Sequence, residues 1–168
     1  VVQDYGRGLA LTSERAAELL QWTNELSLNS PLDNSDVELL VRLGMGYKFN
    51  SEQAKRSTAA VIDYGAAMTL TDKEMEQVIR SLGKMKQDGK VTTSTLSRLS
   101  DTGIDGLKIL ADAAGVSTTK MEEMIDTGLV PAGPAIEAII QYMERYKGAA
   151  EEISSGTFGG LIETLGNL

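Results

Sequence analysis

The residues with the clearest chemical meaning in this chain are two aspartates, Asp101 and Asp126, each opening an Asp-Thr-Gly triplet. The triplets close a stretch that reads nearly the same twice, Val91-Thr92-Thr93-Ser94 through Gly103-Ile104 and Val116-Ser117-Thr118-Thr119 through Gly128-Leu129, at an offset of 25 residues. Two such carboxylates facing each other and sharing a proton would make an aspartic protease. That chemistry needs an apolar strand before each Asp and two β-lobes to carry them. Here the lead-in is helix-periodic, Ile104 and Leu129 follow the glycines where a protease has Ser or Thr, and the copies lie too close to head two lobes. The triplets read instead as one helix-ending device used twice: Gly103 and Gly128 stop a helix, and Ile104 and Leu129 pack back on Leu99 and Met124. The aspartates stay unexplained, since a carboxylate near a helix C-terminus opposes the macrodipole.

Other chemistry is limited by composition. The chain has no His and no Cys, which excludes Ser-His-Asp and Cys-His catalysis, thiolate metal sites and disulfides. Glu122/Glu123 and Glu151/Glu152 are sequence neighbours, so on a helix they point to different sides and read as solvated faces. Asp33-Asn34-Ser35-Asp36 is oxygen-rich but lacks calcium-loop spacing and reads as a cap. No cofactor or metal is expected. A helix-turn-helix nucleic-acid reader over 91–128 is a weak alternative, because Lys120, Glu122 and Glu123 make a poor face for phosphates. The charge agrees: net −8, with six basic and ten acidic side chains in 1–72, seven and five in 73–108, and three and nine in 109–168. That offers no clustered basic face. No apolar run reaches the about 18 residues of a membrane span, and no membrane contact is expected.

The elements that must carry these residues are helical throughout. Aromatics are only 5% of the chain, so the core must rest on aliphatics and Met. Ala16, Leu19, Leu20, Thr23, Leu26 and Ser27 share a stripe over 13–28, with Ser13 as N-cap. Pro31 sits where a helical first turn tolerates it, ahead of Val37, Leu40, Val41 and Gly44. Asn50 with Gln53 and Thr71 with Glu74 read as capping boxes for helices over 51–69 and from 72 onward, the second ended by Gly89. Gly83 interrupts that second helix at about 1 kcal/mol relative to Ala, which a close approach by a neighbouring helix backbone would offset. Four short helices follow over 93–102, 105–114, 118–127 and 132–147, with stops at Gly103, Gly115, Gly128 and Gly148. Met75, Met121, Met124 and Met143 fall on apolar stripes and belong to the core, whereas Met45 and Met68, near helix ends, are the candidates for contact with another protein chain.

The expected fold is all-α: one compact domain over 1–168 of seven to nine helices, with longer helices in 1–90, a short-helix repeat region in 91–147 and a flexible tail or helix in 148–168. Its opening and its close, Leu161 to Leu168, read as a piece of a longer polypeptide.

The order of phrases resembles the N-terminal domain of tape measure proteins of long-tailed phages and prophages. It runs from Ser30-Pro31-Leu32 and Phe49-Asn50-Ser51-Glu52 through Arg80-Ser81-Leu82-Gly83-Lys84-Met85-Lys86 and Asp88-Gly89-Lys90-Val91 to Leu96-Ser97-Arg98-Leu99-Ser100-Asp101-Thr102-Gly103-Ile104. Gly115-Val116-Ser117-Thr118, Met124-Ile125-Asp126-Thr127-Gly128, Val130-Pro131-Ala132 and Phe158-Gly159-Gly160-Leu161 complete it. Residues 1–29 match least well. Glu151-Glu152-Ile153-Ser154-Ser155 stands where such proteins often carry a basic stretch. The resemblance implies a non-enzymatic structural protein that helps set tail length and nucleate the tail tube, inside the tube in the virion and in host cytoplasm during assembly. Its implied partners are the tube protein and tail assembly chaperones, with self-association also open. A cell-wall-degrading, peptidoglycan hydrolase module is the enzymatic alternative.

Overall fold

The computed structural model describes residues 13–154, in which eight α-helices span Ser13–Glu144, a further helical run occupies 149–154, and no strand is present. The eight are α1 (Ser13–Leu28), α2 (Asn34–Gly46), α3 (Ser51–Met68), α4 (Asp72–Asp88), α5 (Thr93–Ser100), α6 (Gly106–Ala114), α7 (Thr118–Asp126) and α8 (Ala132–Glu144). The tail phrases from residue 155 onward lie outside the described residues.

Local chemistry sets most boundaries. Thr71 and Thr92 each accept from the backbone N–H three residues on, and the side chains of Glu74 and Thr95 return the bond, so α4 and α5 start in full capping boxes. Asn50 accepts from Gln53 N–H at 2.8 Å, but Gln53 does not reciprocate; its Oε1 accepts instead from Lys86 on α4, at 3.4 Å. Pro31 lies in the turn before α2 rather than in its first turn. Asp33 caps that helix by accepting from Asp36 N–H, and Ser27 and Ser30 tie the intervening turn to Leu32. Ser13, the first described residue, is already helical.

The four longer helices and α8 form the main body. α4 packs on α2, α3, α5 and α8, while α3 packs on α2 and α8, and α1 on α2. One continuous apolar cluster fills the middle. It includes Val37, Leu40 and Val41 of α2, Val61 and Ile62 of α3, Val78, Ile79 and Leu82 of α4, and Ile139, Ile140 and Met143 of α8. Fully burying each large aliphatic side chain is worth about 1.5–3 kcal/mol, and this term holds the helices together. On α1 the face turned inward is Ala16, Leu19 and Thr23, with Trp22, Leu20 and Leu26 half-buried beside it.

α5, α6 and α7 form a lobe on this body: α5 leans on α4, α6 on α8, and α7 on α6. The lobe is closed at its base by a single antiparallel bridge between Lys90 and Pro131. Val91 N–H donates to Val130 O at 2.9 Å, and Ala132 N–H donates to Gly89 O at 3.1 Å. Pro131 offers α8 no side-chain cap, so Gly89 supplies the acceptor for the first free N–H of that helix.

Gly83 is buried in α4, and its close neighbour is a side chain, not a helix backbone as the sequence led us to expect. The Tyr47 ring, just past α2, lies flat on it, so that a Cβ at 83 would fall 2.7 Å from Tyr47 Cβ and closer still to the ring.

Candidate protein-contact surfaces

The twin Asp-Thr-Gly triplets are two helix ends of one geometry. Ile104 N–H donates to Leu99 O at 3.1 Å and Gly103 N–H to Ser100 O at 3.0 Å; Leu129 N–H donates to Met124 O at 2.9 Å and Gly128 N–H to Ile125 O at 3.0 Å. This paired pattern places the glycine in the left-handed region, and φ is 85° at Gly103 and 71° at Gly128. The threonines have a job as well. Thr102 Oγ1 donates to Leu99 O at 2.6 Å and Thr127 Oγ1 to Glu123 O at 2.9 Å, adding a side-chain bond to carbonyls that already accept a backbone N–H at the helix end. Gly103→Ala and Gly128→Ala should each lower stability by about 1 kcal/mol or more in urea denaturation, because Ala resists positive φ. Gly89, Gly115 and Gly148 also hold positive φ, at 75°, 69° and 91°, and Gly89 and Gly115 are the C-caps of α4 and α6.

The two copies differ in what they pack against. Ile104 is fully buried, but Leu129 is 66% exposed, so the packing of Leu129 back onto Met124 that the sequence suggested does not bury it. The turn is the same in both copies, but α5 packs on the body helix α4 whereas α7 packs mainly on α6. Neither carboxylate is part of a protease dyad or of a cap: the side chains of Asp101 and Asp126 are exposed and make no hydrogen bond or ion pair among the described residues.

A groove follows α6 and α8 between these turns. One end, about 420 Å³, is apolar and includes Leu110, Met121, Met124, Leu129, Pro131 and Pro134. The other end, about 540 Å³, is polar and includes Gly103, Asp105, Lys108, Asp112, Tyr142 and Arg145. The two ends share Ala113, Ala138 and Gln141 and so form one depression.

Next to the apolar end, which Glu137 also borders, Arg56 of α3 holds two carboxylates at once. It donates from Nη1 to both oxygens of Glu137 at 2.7 and 2.8 Å, and from Nε and Nη2 to Glu144 at 3.0 and 2.7 Å. It borders a concavity of about 760 Å³ together with Trp22, Asn50 and Lys55. The hydrogen bonds from Arg56 hold the Glu144 carboxyl below the usual glutamate value of 4.5, against a smaller opposing effect of burial. A depressed carboxyl stabilises the fold above its unfolded pKa, and that stability is lost as pH falls through the folded value. Arg56→Met should therefore cost about 1 kcal/mol at pH 7, and its gap to the native chain should narrow in urea titrations run progressively below pH 4.5. Side chains more than a third exposed keep this figure modest.

Tyr64, Tyr142 and Tyr146 form an aromatic cluster where α3, α8 and the first Asp-Thr-Gly turn meet. Ring centroids are 5.4 Å apart for Tyr64–Tyr146, 6.0 Å for Tyr64–Tyr142 and 6.2 Å for Tyr142–Tyr146. Arg145 lies 5.3 Å over the Tyr142 ring. The i, i+4 spacing of Tyr142 and Tyr146 was the sequence signal for this cluster; nothing local points to Tyr64.

Of the methionines singled out for contact, Met68 is 41% exposed and Met45 is half-buried against the core. Met75, Met121 and Met143 are buried, and Met124 is half-buried at the groove. Glu122, Glu123, Glu151 and Glu152 are exposed. Asp33 Oδ1 spends its lone pairs on Asp36 N–H and the Ser35 hydroxyl. Among the described residues no three potential metal ligands converge, and no helix is long and apolar enough to cross a membrane.

No curated protein and no solved structure matches this chain. The family model for tape measure proteins does, over residues 7–168. With nearly the whole chain matched and an all-helical body beneath it, the chain belongs to the tape measure protein family, structural components of phage tails.

Proposed function

We propose that residues 13–154 are a compact, non-catalytic, protein-binding module of a tape measure protein, acting within the tail tube and, during assembly, in the host cytoplasm. Its partners on this reading are the tube protein and tail assembly chaperones, with Met45 and Met68 among its contact residues and the five glycine turns setting its shape. The observation that carries the reading is the family match across residues 7–168. The continuous core supports a folded module rather than a stretched ruler segment.

The distinction is measurable. A fully extended α-helical stretch of these residues would span roughly 210 Å at 1.5 Å per residue. In-frame deletion of 13–154 from the full-length protein of a phage that encodes it should abolish tails or change their length by much less than that. A shortening by the full helical length, read by electron microscopy, would show that the segment acts as ruler. A cell-wall clearing assay with purified protein should give no clearing; clearing lost on a single Glu→Gln change would overturn the non-catalytic reading.

A further inference from the structure

We propose that the groove along α6 and α8 is a docking site for a basic amphipathic helix of a partner protein. The apolar side of that helix would sit on Met121, Met124 and Leu129, and its Lys or Arg residues would face Asp101, Asp112 and Asp126. The inference rests on the tail-module reading only in taking the occupant to be a protein.

Three observations carry it. The apolar end of the groove, lined by Leu110, Met121, Met124, Leu129, Pro131 and Pro134, offers the kind of surface on which the apolar face of an amphipathic helix can lie. Its apolar end exposes Leu129 at 66%, at the position where the other copy of the repeat buries Ile104 completely. Half-buried Met124 beside it gives an adaptable wall. Its walls are helices, so an extended partner would find no strand edge to pair with, whereas a helix satisfies its own backbone.

Charge chooses the sign of the partner. Residues 92–129 hold three basic and six acidic side chains. Their one ion pair among the described residues is Lys120–Glu123 at 4.0 Å. The carboxylates of Asp101, Asp112 and Asp126 have no hydrogen-bond or ion-pair partner there. Asp101 and Asp126 also stand at helix C-terminal ends, where the macrodipole disfavours them. Asp101 precedes the turn that borders the polar end, and Asp126 precedes the turn that borders the apolar end. Lys90 reaches over Gly128 without an ion pair, and Lys108 and Arg145 border the polar end, so the basic groups of the partner are matched to the carboxylates rather than to the groove floor. A second copy of this chain, at net −8, would bring like charge to the same rim.

The probe is a fluorescein-labelled Leu/Lys peptide of about 18 residues, five helical turns with Leu at i, i+3, i+4 and i+7. Binding to the whole chain is followed by fluorescence anisotropy. It should weaken about tenfold with Leu129→Ser and about tenfold with the combined Asp101→Asn, Asp112→Asn and Asp126→Asn changes, and stay unchanged with Leu28→Ser, an exposed leucine on α1. All these sites are exposed, and circular dichroism checks that each variant folds. The inference is overturned by no binding, by equal binding of the same peptide with Glu for Lys, or by equal loss with Leu28→Ser. It is also overturned by dimerisation that Leu129→Ser abolishes, which would assign the groove to a second copy. Binding that appears only once residues 155–168 are removed would assign it to the chain's own end. None of these outcomes alters the tail-length test of the module itself.

Discussion

Tyr64→Ala should lower stability by about 3–5 kcal/mol in urea unfolding followed by circular dichroism, while Tyr64→Phe should cost less than about 1 kcal/mol. Tyr64 is 2% exposed and stacks against both Tyr142 and Tyr146. Truncation leaves a ring-sized void where α3, α8 and the lobe meet, and the aromatic pairs add about 0.5–1.5 kcal/mol each beyond the buried area. The hydroxyl matters less, because its bond to Gly103 O is long, at 3.4 Å. It does leave a signature at alkaline pH. Burial, and then the neighbouring tyrosines, raise Tyr64 above its ordinary value of 10.0. A phenol raised in the folded state ionises first in the unfolded chain, so its stabilisation is whole below pH 10.0 and declines as pH rises past it. Tyr64→Phe should flatten that alkaline decline.

Gly83→Val should cost about 3 kcal/mol, and Gly83→Ala about 1–2 kcal/mol, against a helix propensity that alone would favour Ala by about 1 kcal/mol. The opposing term is the Tyr47 ring, which occupies the space any Cβ would need. The decisive comparison is the double variant. In a Tyr47→Ala background Gly83→Ala should become neutral or stabilising, a reversal of sign that a purely local backbone effect could not produce. Unfolding midpoints of the four proteins of the cycle are enough to check it.

Helix positions were legible because capping chemistry is local. Thr71 with Glu74, Asn50 with Gln53 and the glycine stops each declare a boundary within four residues, and the helices fall within a few residues of them. Three points were not local. Gly83 is explained by a ring from a turn 36 residues earlier in the chain, and no pattern inside α4 could name it. Leu129 looks like Ile104 in its own segment, yet α7 packs mainly on α6 where α5 packs on α4, and Leu129 stays exposed while Ile104 is buried. Arg56 meets Glu137 and Glu144 more than 80 residues away, a pairing that only the packing of α3 on α8 creates. The family was readable from ordered phrases, several of which, such as 88–91 and 99–104, are caps or turns that the chain needs to fold.

The bridge between Lys90 and Pro131 has a mechanical consequence. Tension applied through α4 and α8 meets first where these helices touch and where Val91 holds Val130, so the load passes across the neck of the lobe and not around it. Helices α5, α6 and α7, with both Asp-Thr-Gly turns and the groove between them, hang outside the strained path. They would keep their shape until the neck parts, as a side loop keeps its slack while the main line is taut.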